Sequence, residues 1–376
     1  MRFEFATAAR IVFGPGTVRE VPAAAAEMGR RALVVTRASA DISRTGITGE
    51  PFPIRGEPTV DVVRHGTQLA READCDVVIA LGGGSAIDAG KAIAALLANG
   101  GDPLDYLEVV GQAKPLTRPS APFIAIPTTA GTGSEVTRNA VLASPEHRVK
   151  ASLRSPHMLP ALAVVDPKLT LDLPPALTAS TGLDALTQLI EPYVSNRANP
   201  MTDLYCVAGL RLAASALRRA WRDGHDLAAR TDMSFASLLG GLALANAGLG
   251  AVHGFAAPLG GMFDAPHGAL CAALLPHAMR VNIAALHASP PHAESLLRYA
   301  AVARLLTGRS DATPEDGADW VATLCRDLEI RPLSAYGVRP ADVPALTDKA
   351  ARASSMKANP IVLTRGQLEE LLTRAI

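Results

Sequence analysis

The spacing of apolar residues divides the chain into two halves of different periodicity. Up to residue 172, short apolar runs rich in β-branched residues alternate with segments whose apolar residues recur at helical spacing. The apolar runs are 31–36, 75–83, 122–129 and 161–167, and the helical segments are 18–28, 60–72 and 85–97. This alternation predicts an α/β domain over residues 1–172, built on a doubly wound, Rossmann-like parallel sheet.

The second half shows only the helical period. After the proline-rich segment LDLPPAL (171–177), long runs rich in alanine and leucine cover 177–194, 203–220 and 233–249, and the chain closes with RGQLEELLTRAI. These runs predict an all-helical domain over residues 173–376. The stretch 233–263 contains no Asp, Glu, Lys or Arg and exceeds the ~20 residues that span a bilayer. Its glycines and Pro258 favour buried core helices instead.

Composition narrows the classes of function. A chain of 376 residues with 48% hydrophobic residues can bury a large core. Its 36 basic and 36 acidic residues cancel, so no net field attracts nucleic acid or an anionic membrane, and a small-molecule substrate fits better. The four cysteines form no CxxC pair and are interpreted as buried thiols in a reducing cytosol. The N-terminus carries charges where a signal peptide needs an apolar run, so we expect a cytoplasmic protein.

Two glycine-rich loops each follow an apolar run. The first, Gly82 to Gly84, precedes Ser85 at the start of a predicted helix, and the second is PTTAGTGSEVT (127–137). Glycine allows close approach of a pyrophosphate, and a helix N-terminus offers free N–H donors. A glycine run alone fits a tight strand-to-helix turn equally well. Two such loops on one sheet favour a dinucleotide site at the carboxyl ends of the strands.

The two loop sequences, GGGSAIDAGKA and PTTAGTGSEVT, resemble the characteristic N-terminal motifs of the iron-containing (group III) alcohol dehydrogenases, a family with maleylacetate-reductase-like members. The resemblance extends over almost the whole chain through IVFGPG, KASLRSPHMLPALAVVDP, LLPHAMRVN and MKANP. It implies an NAD(P)-dependent oxidoreductase acting on CH–OH and C=O groups. Hydride would pass between the nicotinamide and a small alcohol or aldehyde while a divalent metal polarises the substrate oxygen.

The resemblance also assigns cofactor-binding residues. Gly83, Gly84 and Ser85 would face the phosphates, Thr128 and Thr129 would line the nucleotide, and Asn139 and Lys150 would bind from the following strands. Arg37 stands where many relatives carry an aspartate that binds the adenosine ribose. An arginine can pair with a 2′-phosphate, so NADP(H) is as well supported as NAD(H). A solvated arginine at a strand end fits this position equally well.

The candidate metal ligands lie in the second half. Asp184 and Gln188 are four residues apart and share one face of a predicted helix. The resemblance makes that face the metal site, adds His253 and His267 as ligands, and gives Asp184, His253 and His267 the catalytic role. Relatives have histidine in place of Gln188, and a carboxamide oxygen is a harder and weaker donor. Fe²⁺ is the first choice of metal, with Zn²⁺ or no metal as alternatives.

The sequence leaves alternative functions open. Ala257 replaces a histidine that many relatives place near the nicotinamide, so no proton route can pass through that side chain. Because both Gln188 and Ala257 depart from the family pattern, a metal-independent reductase and a metal-free nucleotide-binding remnant are alternative functions. Polyol dehydrogenases and dehydroquinate-synthase-like lyases share the two-domain plan but should lack the DALT and APHG contexts. By resemblance we also expect a homo-oligomer, a dimer or larger, with no nucleic-acid or membrane partner.

Overall fold

A computed structural model describes residues 2–37, 42–43, 45–147, 149–289 and 293–376. The chain forms two compact units. The α/β unit comprises Ala6–Thr129 and Gly133–Leu171. The helical unit comprises Asp172–Ile376 together with Ala130–Thr132 and the first residues through Phe5.

The α/β unit is built on a six-stranded parallel sheet in the order β1-β8-β5-β4-β2-β3. Its strands are β1 (Ile11–Phe13), β2 (Ala32–Arg37), β3 (Glu50–Ile54), β4 (Val77–Gly82), β5 (Phe123–Pro127) and β8 (Leu162–Val165). A separate antiparallel hairpin consists of β6 (Asn139–Ser144) and β7 (Val149–Arg154). The order reverses between β2 and β4, since β3 adds on one side of β2 and the later strands add on the other. Ligands of doubly wound sheets bind at such a switch point.

Helices cover both faces of this sheet. They are α1 (Val21–Met28), α2 (Val60–Glu72), α3 (Gly84–Asn99) and the short α4 (Pro103–Tyr106), with 3₁₀ turns at Thr17–Glu20, Ser134–Val136, Pro156–Met158 and Pro167–Thr170. Leu33 and Val78 belong to the core on one face, whereas Val34 and Ile79 belong to the core on the other. Because both faces are buried, the central strands are apolar throughout, as parallel strands usually are.

The helical unit consists of nine described α-helices and three 3₁₀ turns. The helices are α5 (Pro175–Val194), α6 (Pro200–Arg222), α7 (Leu227–Ala247), α8 (Ala251–Met262), α9 (His267–His287), α10 (Ala293–Thr307), α11 (Pro314–Asp327), α12 (Val343–Arg352) and α13 (Arg365–Ala375). The turns are Leu333–Tyr336, Pro340–Asp342 and Ser355–Ala358. Helix α5 packs against α6, α7 and α9, so its middle is buried on all sides.

The most apolar helices lie in the interior of this unit. Among the described residues, His267–His287 is the one single helix long and apolar enough to cross a membrane, and 83% of its apolar window is buried. Leu227–Ala247 and Ala251–Met262 meet the same criterion only as a pair, which is bent by 98°. The uncharged stretch 233–263 therefore falls into two mostly buried helices rather than one continuous span.

The predicted fold class is confirmed: a parallel sheet with flanking helices is followed by a helical half. The four apolar runs form β2, β4, β5 and β8, and 60–72 is a helix over its full predicted length. Sequence patterning did not identify β1, β3 or the hairpin. Strand β3 contains Pro51 and Pro53, which the sheet tolerates because β3 is an edge strand that pairs only with β2.

Candidate functional site

Four side chains from three helices of the helical unit converge on one point. Asp184 lies in the middle of α5, His253 in the first turn of α8, and His267 and Cys271 one turn apart on α9. One ligand atom from each of these residues lies within 4.8 Å of the others. Asp184 Oδ1 is 3.4 Å from His253 Nε2 and 3.8 Å from His267 Nε2. The sequence predicted three members of this cluster and missed Cys271.

Close packing between helices sets the position of His267. Gly268 follows it directly, and a Cβ atom at Gly268 would lie 2.5 Å from the carbonyl oxygen of Ser180 on α5. Only glycine allows the start of α9 to approach the backbone of α5 this closely. The His267 side chain is 36% exposed, whereas that of Asp184 is 1% exposed. Solvent therefore reaches the cluster on the His267 side.

His253 is oriented by a second carboxylate, Glu191, which the sequence analysis did not identify. His253 Nδ1 lies 2.7 Å from Glu191 Oε2, and Glu191 Oε1 accepts a hydrogen bond of 2.7 Å from Val252 N–H. A carboxylate only accepts, so Nδ1 carries a proton, and Nε2 on the other side of the ring is directed toward Asp184 Oδ1. Carboxylate–histidine pairs of this kind commonly orient imidazole ligands of metals.

The start of α8 is fixed by residues from the C-terminal motifs. Asn359 Oδ1 accepts from Ala251 N–H at 3.1 Å and from Asn282 Nδ2 at 3.1 Å. Asn282 also donates to the Tyr299 hydroxyl, so a buried network joins α8, α9 and α10. Asn282 ends the motif LLPHAMRVN and Asn359 lies in MKANP, and both hold the helix that carries His253.

The electrostatics of the cluster favour a cation. Burial alone lowers the pKa of both histidines, but interactions with Cys271 and Asp184 raise it, well above the ordinary value for His253 and to about 9 for His267. Burial alone raises the pKa of Asp184, but His267 and His253 hold it below its ordinary value. Asp184 Oδ1 nevertheless has no hydrogen-bond partner among the described residues. A buried set of carboxylate, imidazole and thiol groups with an unsatisfied carboxylate oxygen suits a divalent metal.

Gln188 lies one turn after Asp184 on α5, as the spacing predicts, and is 2% exposed. Its Oε1 atom is buried and has no hydrogen-bond partner among the described residues. A Cβ atom at Gly240 of α7 would be 3.3 Å from the Gln188 Cβ, so the side chain starts from a close helix–helix contact.

In the α/β unit, the two glycine-rich loops meet. Thr128 N–H donates to the carbonyl oxygen of Gly82 at 2.9 Å, and a Cβ atom at Gly83 would lie 3.4 Å from the Thr129 side chain. Helix α3 begins at Gly84 without a side-chain cap, and Ser85 lies in its first turn. Its N-terminal N–H groups are therefore presented at the carboxyl ends of β4 and β5, which is a favourable place for phosphates.

The tip of the second loop, Ala130–Thr132, belongs to the helical unit. A Cβ atom at Gly131 would lie 2.8 Å from the Thr181 Cβ on α5, less than one turn before Asp184. The loop predicted to bind nucleotide thus packs, at its tip, against the helix that carries the first candidate metal ligand.

Two charged residues of α3 shape the second loop. Lys91 is fully buried, and its Nζ donates to Thr137 Oγ1 at 2.8 Å and to the Asn139 carbonyl oxygen at 2.6 Å. Asp88 accepts from the Ser134 hydroxyl and from Val141 N–H. The sequence analysis assigned no role to this pair, although its signal was two charges in an otherwise apolar helix.

The remaining predicted cofactor residues have varied surroundings. Arg37 ends β2 and is exposed, and its backbone nitrogen is 3.9 Å from the position of a Cβ atom at Gly82. It therefore lies at the switch point of the sheet. Asn139 begins β6. Lys150 on β7 is 9% exposed and lies 2.5 Å from Glu57, so it is a half-buried ion pair rather than a free surface lysine.

Comparison with known proteins places these features in one family. Residues 8–167 match the family model described as iron-containing alcohol dehydrogenase, and residues 178–376 match that of the Fe-containing alcohol dehydrogenase family, C-terminal. The chain is 39% identical to alcohol dehydrogenase 4 of Saccharomyces cerevisiae over 85% of this chain and 80% of the relative. It is 32% identical to the NAD-dependent methanol dehydrogenase of Bacillus methanolicus over 97% of both. The crystal structure of a 1,3-propanediol oxidoreductase superposes over the full length of both chains with a TM-score of 0.90 and 34% identity.

Proposed function

The chain belongs to the iron-containing alcohol dehydrogenase family, and we propose that it oxidises small alcohols and reduces small aldehydes with a divalent metal bound by Asp184, His253 and His267. That it is an NAD-linked oxidoreductase acting on CH–OH groups follows from its relatives. The observation that carries the metal-dependent proposal is the convergence of the three side chains around Asp184 Oδ1, which is buried and lacks a partner.

The residues present fit a divalent ion. Two imidazoles and one carboxylate are common ligands of Fe²⁺ and Zn²⁺. Burial of the unpartnered Asp184 oxygen with no ion beside it costs free energy, and an ion bound there removes this cost. Fe²⁺ is the metal that the family name implies, and Zn²⁺ is the alternative. Gln188, with its buried and unpartnered oxygen, is a further candidate donor.

When bound, the metal supplies a Lewis acid for the substrate oxygen, and the nicotinamide supplies a hydride donor or acceptor at C4. The chain itself positions these groups. Glu191 keeps the His253 Nε2 lone pair directed at the cluster. The apolar start of α8 limits access of water around His253. Ala257, one turn later, offers no group that could hold a proton, so the proton of the alcohol must leave by another route.

For the cofactor, we propose that Gly83, Gly84 and Ser85 bind the phosphates and that Thr128, Thr129, Asn139 and Lys150 line the rest of the site. Support comes from the uncapped start of α3 and from the contact between the two loops. Asp88 and Lys91 act as positioning residues, because they hold the second loop against α3. Arg37, exposed at the switch point, could pair with a 2′-phosphate, so we propose that NADP(H) is accepted beside NAD(H).

We further propose that the protein is a cytoplasmic homo-oligomer, a dimer or larger. The four cysteines are all free and buried, which suits a reducing compartment. Leu204 on α6 and Leu297 on α10 are 69% and 67% exposed in the single chain. Large apolar side chains that are exposed in one subunit are often buried where two subunits meet. Light scattering coupled to size-exclusion chromatography gives the oligomeric state directly.

The test of the proposed function is oxidation of NADH and of NADPH by the purified protein with a panel of short aldehydes, and the reverse reaction with the matching alcohols. We expect turnover that falls at least about 100-fold in Asp184→Asn, since the only carboxylate of the ligand set becomes neutral. Asp311→Asn, on the surface beside Arg309, is the matched control and should behave as wild type. Full turnover in Asp184→Asn would favour a metal-independent reductase, and no turnover in any sample would favour a nucleotide-binding remnant.

A further inference from the structure

Cys271 lies in the metal cluster, although neither the spacing of the cysteines nor the family resemblance pointed to it. We propose that the Cys271 thiolate is a ligand of the metal and completes a set of four with Asp184, His253 and His267, so that Gln188 is not needed as a ligand and Zn²⁺ is the preferred ion. This inference rests on the metal centre of the proposed function.

Four of the six distances between the ligand atoms are close to those of a tetrahedral zinc site. Zinc binds sulfur at about 2.3 Å and imidazole nitrogen or carboxylate oxygen at about 2.0–2.2 Å, so tetrahedral angles place sulfur about 3.6 Å from nitrogen, and nitrogen about 3.4 Å from oxygen. Cys271 Sγ lies 3.6 Å from His267 Nε2 and 3.9 Å from His253 Nε2. Asp184 Oδ1 lies 3.4 Å and 3.8 Å from the same two nitrogens. All four spacings are within about 0.4 Å of those that zinc requires.

The fold directs the thiol toward this point. Cys271 follows His267 by four residues on α9, so both side chains project from one face of the helix. It is fully buried. Asp184 Oδ1, also buried and without a partner among the described residues, faces the same two histidines. The unpartnered carboxylate oxygen is an independent sign that an ion belongs there.

The other buried cysteines of the helical unit differ in their surroundings. Cys325 Sγ donates to the Ala272 carbonyl oxygen at 3.5 Å, and burial raises the pKa of this thiol to about 12. Burial likewise raises the pKa of the Cys206 thiol. Neither belongs to a group of ligand atoms among the described residues. These two cysteines are packing residues, which makes Cys206 a suitable control.

Thiolate ligation changes the metal preference that Gln188 alone suggests. A carboxamide in place of histidine makes the site harder, whereas a thiolate makes it softer and selects zinc over harder ions. Two anionic ligands, Asp184 and Cys271, also balance the charge of a divalent ion, where Asp184 alone would leave one positive charge. Zinc can accept a fifth ligand during catalysis, so a set of four protein ligands still admits a substrate oxygen.

The test uses a spectroscopic signature of sulfur rather than activity. Wild type loaded with Zn²⁺ should show sulfur in the first coordination shell at about 2.3 Å by X-ray absorption, and wild type loaded with Co²⁺ should show a sulfur-to-cobalt charge-transfer band. Cys271→Ala should lose the band and bind Zn²⁺ at least about tenfold more weakly, whereas Cys206→Ala and Gln188→Ala should keep the band.

Opposite results overturn the inference. A wild-type spectrum that shows bound metal but no sulfur ligand would overturn the inference. This result needs no variant, so it holds even if Cys271→Ala fails to fold. Loss of metal in Gln188→Ala with retention in Cys271→Ala would identify the carboxamide as the ligand. Wild type that binds no metal would overturn the inference as well.

Turnover measured on the same samples separates this inference from the proposed function. A sulfur-free metal with chelator-sensitive turnover would contradict only the ligand role of Cys271. A sulfur-bound metal without turnover on any alcohol or aldehyde would contradict only the proposed function.

Discussion

At the scale of single residues, the chemistry depends on how a few polar groups are satisfied in an apolar interior. Glu191 illustrates this, because one oxygen binds His253 Nδ1 and the other accepts from Val252 N–H. Glu191 therefore fixes the orientation of the His253 ring relative to the start of α8. Glu135 illustrates the opposite case. It is buried within the second glycine-rich loop, where desolvation outweighs the bond to its own backbone and the charge of Lys91 and raises its pKa to about 7.

Replacing Glu191 by glutamine tests its orienting role. The amide has only one acceptor oxygen, so either His253 Nδ1 or Val252 N–H is left without a hydrogen-bond acceptor. We expect metal affinity about 10–100-fold lower, as for other partners of metal-bound histidines, with the fold retained. Competition with a chelating dye measures the affinity. Glu315→Gln, which alters the exposed Glu315–His287 pair, is the matched control and should leave the affinity unchanged.

Glu135 predicts a specific pH dependence of stability. The native protein holds a proton on Glu135 up to about pH 7, whereas the unfolded chain releases it near the ordinary glutamate pKa of 4.5. This contribution is therefore fully present below pH 4.5 and is lost as the pH rises to 7, by up to about 3 kcal/mol. Glu135→Gln should remove this loss, so its thermal midpoint should fall less than that of wild type between pH 5 and 7.5. The exposed Glu146→Gln should match wild type, and equal slopes in all three proteins would contradict the assignment.

At the scale of secondary-structure elements, the cluster exists because α5, α8 and α9 approach one another closely. The approach of α9 to α5 depends on Gly268, and the start of α8 depends on Asn359. Periodicity predicted α5 and buried helices over 233–263, and the spacing of Asp184 and Gln188 placed both on one face of α5. The contribution of Cys271 could not be seen in the same way, since its nearness to Asp184 and His253 arises only when the three helices pack. The hairpin β6–β7 was missed because its strands are only half buried and form no continuous apolar run.

Gly268→Ala tests the close approach of α9 to α5. The new methyl group would meet the Ser180 carbonyl at 2.5 Å, so α9 must move and carry His267 with it. A displacement approaching 1 Å can cost about 100-fold in rate, and we expect a loss of about 10–100-fold in kcat/KM together with a lower thermal midpoint. Gly366→Ala on α13 is the control, because nothing lies within 4 Å of the added atom. It should leave activity unchanged and stability equal or slightly higher. Wild-type activity in Gly268→Ala would show that His267 does not need this contact.

At the scale of the whole molecule, each unit contains one part of the proposed site. The α/β unit presents two glycine-rich loops at the carboxyl ends of β4 and β5, and the helical unit holds the cluster around Asp184. A strand-and-helix alternation that gives way to a purely helical period after residue 172 predicts two domains. It could not predict that Glu191 and Cys271 join the site, since no local pattern records which distant side chains share a buried point. We claim that the proposed activity requires a metal bound in the helical unit.

The most direct test of that claim is chelation and metal add-back in a single assay of NADH- or NADPH-linked aldehyde reduction. Protein purified without chelator should contain near-stoichiometric zinc or iron by elemental analysis. Turnover should be lost when the metal is removed, and Zn²⁺ or Fe²⁺ should restore it. Metal-free protein that turns over at the rate of the loaded protein would contradict metal-dependent catalysis.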